Sequence, residues 1–71
     1  MTKKIEVIIY REGNYWVSQA LNVDVSSFGE SPSEAIASIQ EALELFFEDD
    51  PDVEVRDVTD VRIEEIHVKA V

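Results

Sequence analysis

Apolar and polar residues alternate with a period of two from Lys4 to Arg11, placing Ile5, Val7 and Ile9 on one face and Glu6, Ile8 and Tyr10 on the other. That is a β-strand pattern in which both faces are partly apolar. Glu12-Gly13-Asn14 follows as a tight turn, Gly and Asn being the residues that tolerate positive φ, and Tyr15 to Leu21, rich in β-formers, returns as the second strand of a hairpin. Asn22-Val23-Asp24 reverses the chain again before a short third strand, Val25 to Phe28, and Gly29-Glu30 leads out of it. The period then lengthens to that of a helix. Between Ser31 and Asp49, the residues Ala35, Ile36, Ile39, Ala42, Leu43, Phe46 and Phe47 gather on one side, while Glu34, Ser38, Glu41, Glu44 and Glu48 fall elsewhere. Ser31 is placed to cap this helix, Glu34 to complete a capping box and Pro32 to occupy the first helical position. Asp49, Asp50 and Pro51 end it. Asp52 to Asp60 reads as an acidic loop. Val61 to Val71 alternates once more, with a slip at Glu64-Glu65 of the kind a β-bulge produces.

These elements predict a single α+β domain over residues 1–71, in the order β-β-β-α-β. A right-handed crossover through the helix would lay the last strand beside the first and parallel to it. The expected result is a four-stranded sheet of order 3-2-1-4 with one helix on one face. One helix covers one face only, so Ile8, Tyr10 and either Tyr15 or Trp16 are left to the other. An uncovered apolar face in so small a domain points to a homodimer whose interface includes Ile8 and Tyr10.

Charge narrows the choice of partner. Sixteen acidic against six basic side chains give a formal net charge of −10, a balance that repels phosphate backbones and attracts basic proteins. Direct binding of nucleic acid by this chain is therefore not expected. The helix carries no Lys or Arg at all, and its acids crowd the C-terminal end, where the helix dipole already presents negative charge. Leu45 projects from the side opposite the apolar stripe, among Glu34, Ser38 and Glu41. Glu34, Glu41, Glu44, Leu45 and Glu48 are thus the candidate partner-binding residues, with Trp16 as a further aromatic contact. There is no cysteine, which excludes disulfides and thiolate metal sites. No stretch resembles an export signal or a membrane span, so a cytoplasmic location is expected.

Catalytic chemistry has little to stand on. The run Glu48-Asp49-Asp50-Pro51-Asp52 offers oxygen ligands, but an EF-hand needs alternate acidic positions, a Gly at the sixth and a Glu at the twelfth. A solvated helix end explains it better. His67 is the one histidine and has no second titratable partner at readable spacing, Ser26, Ser27, Ser31 and Ser33 lie in no nucleophile motif, and Gly29 alone makes no phosphate loop. Glu6, Asp24 and Glu48 are the carboxylates a degenerate nuclease would have to use, and their spacing does not force them together. The expectation is no enzyme, no catalytic residue, no metal and no cofactor.

Three runs carry a family resemblance: Asn14-Tyr15-Trp16-Val17-Ser18, then Val25 through Ala35, then Glu41-Ala42-Leu43-Glu44-Leu45-Phe46-Phe47-Glu48. The most specific part is a strand ending in Gly, an acid and a Ser cap, then Glu34-Ala35 and, seven residues later, Glu41-Ala42. Over about two thirds of the chain this resembles the HicB family of antitoxins, and most of all its short, single-domain members. The resemblance implies a partial ribonuclease-H-like sheet without the nuclease carboxylates. It also implies a task, which is to bind and neutralise a small basic ribonuclease toxin of the HicA type by protein–protein contact. The second reading is an orphan HicB-like dimeric domain with a different protein or small-ligand partner.

Overall fold

The computed structural model describes residues 2–71. Strand β1 is Val7–Glu12, β2 is Tyr15–Ala20, β3 is Ser26–Gly29, and the helix α1 is Pro32–Asp49. The strands form one antiparallel sheet in the order β1-β2-β3, with Glu12 opposite Tyr15 at the hairpin and Trp16 opposite Gly29 at the second pairing. Gly13 has φ 61°, as the first residue of a type II′ turn requires, whereas Asn14 stays out of the positive region.

The helix begins and ends where its end signals place it. Ser31 Oγ accepts from the Glu34 N–H at 3.2 Å, Pro32 opens the first turn, and the Asp50 N–H closes the last by donating to Phe46 O. Ser31 Oγ also lies 3.2 Å from Ser33 Oγ.

Small residues set how closely α1 approaches the sheet. A Cβ at Gly29 would lie 2.7 Å from Ala35 N, closer than packed atoms allow. Ala35 itself is fully buried, and the buried Ser18 Oγ donates to the Ala35 carbonyl at 2.8 Å. Among the described residues the fully buried apolar side chains are Ala20, Ala35 and Ile39. The rest of the apolar stripe is less covered than its periodicity implies. Because α1 leans on β3 and β2 more than on β1, Ile36 remains 51% exposed and Leu43, Phe46 and Phe47 are half-buried.

The four-stranded sheet of order 3-2-1-4 does not form in this chain, and with it goes the complete β-β-β-α-β, partial ribonuclease-H-like arrangement. The sheet has three strands, and residues 61–71 lie in no helix or strand. Two physical causes are visible. The loop after α1 is tied down across the start of β1: Lys3 Nζ donates to Val53 O, Asn22 Nδ2 to Arg56 O at 2.6 Å, and the Val58 N–H to Glu6 Oε1. The chain leaves the body just beyond that tether, past Asp60 at φ 57°. The slip at Glu64-Glu65 also divides the apolar residues of this segment between two faces, so a single helix could not cover both sets.

The close contact at Gly29 predicts that Gly29→Ala destabilises the fold by about 1–3 kcal/mol, since backbone rather than a flexible side chain must give way. Urea unfolding followed by circular dichroism measures it, and an unchanged midpoint would contradict the packing described here.

Candidate functional site

Strand alternation sorts the sheet residues into two faces. Val7, Ile9, Trp16, Ser18, Ala20 and Gly29 face α1, as the Ser18–Ala35 bond and the Gly29–Ala35 contact require. Ile8, Tyr10, Tyr15, Val17 and Phe28 lie on the opposite face, which no element covers. Tyr15 and Phe28 meet there edge to face with centroids 5.6 Å apart, and Phe28 is 62% exposed. The two expected interface residues, Ile8 and Tyr10, therefore share one apolar surface, and of the two aromatic candidates it is Tyr15 that joins them.

The outer side of α1 is as acidic as its spacing implies. Glu34, Glu41, Glu44 and Glu48 are all exposed; Leu45, 59% exposed, stands within about one turn of Glu41, Glu44 and Glu48, whereas Glu34 lies about 16 Å farther back along the axis. Gln40 Nε2 donates to Glu44 Oε2, and the helix carries no cation to offset the charge. Trp16 does not join this group. It is half-buried beside Gly29, at the level of Ala35, whereas Leu45 lies ten residues farther along the helix, about 15 Å away along its axis.

Between β1 and α1 runs an open groove of about 830 Å³ whose walls include Ile5, Val7 and Ile9 from the sheet side and Ile36, Leu43 and Phe47 from the helix, with Gln40, Glu44 and Glu48 also lining the helix side. Lys3 stands at one end with Nζ 5.1 Å from the Phe47 ring centroid. Sequence periodicity gives no sign of this groove. It assigns all six apolar residues to a closed core, and the opening arises only because the space beside β1 is left free.

Glu6 and Asn22 form a second polar arrangement that their positions in sequence do not announce. Asn22 Oδ1 accepts from the Glu6 N–H at 2.7 Å, and Asn22 Nδ2 donates to Glu6 Oε1 at 2.8 Å. Asn22, expected only as a turn residue, thereby links β1 to the tether of residues 53–58. The hydrogen bond from the Asn22 side chain holds the Glu6 carboxyl below its ordinary pKa of 4.5 against the opposing effect of desolvation, with the Val58 N–H and Lys4 helping.

For chemistry, the described residues bring no group of three or more His, Asp or Glu side chains into metal-binding range. Glu6 is committed to Asn22, Asp24 and Glu48 are exposed, and His67 stands in solvent 3.5 Å from Glu65. Glu48 through Asp52 are exposed throughout, as a solvated helix end. Among the described residues no helix is long and apolar enough to cross a membrane. Comparison with protein-family models, with curated proteins and with solved structures finds no match to the chain.

A carboxyl whose pKa falls on folding adds stability that is present in full above its unfolded value and is lost as the pH drops through the folded one. The Val58 amide shift should therefore titrate with a midpoint below 4.5, and the amide should lose protection relative to its intrinsic exchange rate on the acid side, while Glu6→Gln removes that dependence. An amide-detected NMR titration reads both. A Val58 resonance that ignores pH in this range would show that Glu6 does not hold the tether.

Proposed function

We propose that the chain is a non-enzymatic, acidic binding domain that engages a basic protein through the outer face of α1, acting in the cytoplasm as a HicB-like antitoxin against a small basic ribonuclease. The observation that carries this reading is the pairing of an exposed Leu45 with the neighbouring carboxylates Glu41, Glu44 and Glu48, on a helix that carries no cation. Neither feature helps the chain fold. Like charges on one helix repel, and acids near its C-terminus oppose the dipole, so the surface is destabilising unless a cationic partner compensates. Acids around an apolar centre suit such a partner: long-range attraction speeds encounter, and the desolvated leucine slows release.

The resemblance to HicB antitoxins supports a HicA-type ribonuclease as that partner. The same residues would serve an orphan domain that meets a different basic protein, and the neighbouring reading frame separates the two cases.

The test is to read the neighbouring reading frame and measure binding to any small basic protein it encodes. Glu41→Lys combined with Glu44→Lys should lower the association rate and flatten its salt dependence. Leu45→Ala should speed dissociation, by about 1 kcal/mol or more. Neither change should alter the fold, because all three residues are exposed. Unchanged kinetics and salt response in both folded variants would move the contact off α1. A neighbouring frame without a basic product would set aside the antitoxin role.

A further inference from the structure

One chain leaves two features unsatisfied, and each has the form of the other. The first is the free edge of β1 with the apolar groove beside it. Because the Leu21 N–H donates to Glu6 O, alternate residues Ile8 and Tyr10 turn their backbone groups toward β2, and Val7, Ile9 and Arg11 present theirs to the open edge. The second is the segment from Val61 to Val71. It alternates apolar and polar residues, yet Ile63 is 88% exposed, Ile66 77% and Val68 75%. Its polar side chains meet within the segment, Arg62 pairing with Glu64 and His67 lying 3.5 Å from Glu65, and among the described residues no hydrogen bond joins it to the body.

We propose that the segment 61–71 of a second copy of this chain docks in the groove beside β1 by strand addition, each copy giving its tail and receiving the other's. The fold of a single chain stays the three-stranded one described above. The second copy supplies the missing cover.

Three observations favour a second copy as the occupant. The chain's own tail departs outward from the tether at Val58, and none of its residues lines the groove. The accessible surface, 6087 Å², exceeds by about 1,600 Å² the roughly 4,500 Å² of a compact folded chain of 8.1 kDa. The radius of gyration, 14.1 Å, likewise exceeds the roughly 11 Å of a compact chain this long. An excess of that size on each copy falls within what a stable homodimer buries. Charge agrees as well: Arg62 and Lys69 balance Glu64 and Glu65, so the tail is neutral while residues 1–60 carry the whole of the −10. It can approach this acidic body without net repulsion. Reciprocal exchange makes the contact two-fold and closed, which leaves no free groove for a third chain.

The experiment uses the full chain. In an equal mixture of isotope-labelled and unlabelled protein, isotope-filtered NMR should show contacts between the methyls of Ile66 or Val68 in one copy and those of Ile5, Val7 or Ile9 in the other. Sedimentation should give twice the 8.1 kDa chain mass. Ile66→Asp combined with Val68→Asp should weaken the dimer at least about a hundredfold, the apolar burial of two such side chains being removed. If the variant does not fold alone, the filtered contacts in the unaltered protein still decide. Several results would overturn the proposal: a monomer; tail-to-groove contacts within one chain only; a dimer joined solely through Tyr10 and Phe28; or assemblies larger than two chains.

Discussion

The approach of α1 to the sheet at Gly29 and Ala35 governs the rest of the molecule. With no side chain at Gly29 and one carbon at Ala35, the first turn of the helix lies directly against the end of β3, and Ser18 pins it there by donating to the Ala35 carbonyl. The cap at Ser31 fixes where that turn begins. The helix packs mostly on β3 and β2 and only lightly on β1. The space beside β1 stays open, and Ile36, Leu43 and Phe47, which line it, are only partly covered.

The chain then fastens its loop across the start of β1 through Lys3, Glu6 and Asn22, which keeps the way out of the body separate from the groove. Three surfaces remain for partners. The open sheet face is apolar, the outer side of α1 is acidic with one exposed leucine, and the groove combines apolar walls with a free strand edge. The helix surface and the groove adjoin, because Glu44 and Glu48 belong to both. A basic protein matches the helix surface, while an apolar neutral strand matches the groove.

Much of this was legible in the residues. The hairpin, the third strand and the helix follow from local patterns: Gly13 in its turn, β-formers from Tyr15 onward, and a Ser31 cap before a 3.6-residue period. The exposure of Leu45 and its glutamates follows from the same periodicity. What did not follow was everything that depends on distance in sequence. Alternation in 61–71 states that the segment suits a strand, but not which edge, or whose, it would join. Tyr15 and Trp16 could not be assigned to faces until the hairpin register was set by Glu12 opposite Tyr15. Asn22 looks like an ordinary turn residue, and only the fold brings its amide to Glu6 and Arg56. Gly29 was noted as a strand end, while its closeness to Ala35 depends on the angle at which the helix returns.

In the proposed exchange of tails, a second copy would complete the burial that one chain leaves unfinished. Folding then includes association, so stability must depend on how much protein is present. The most direct measurement is the thermal unfolding midpoint over a hundredfold range of protein concentration. The account predicts a midpoint that rises by several degrees across that range; a midpoint independent of concentration would contradict it.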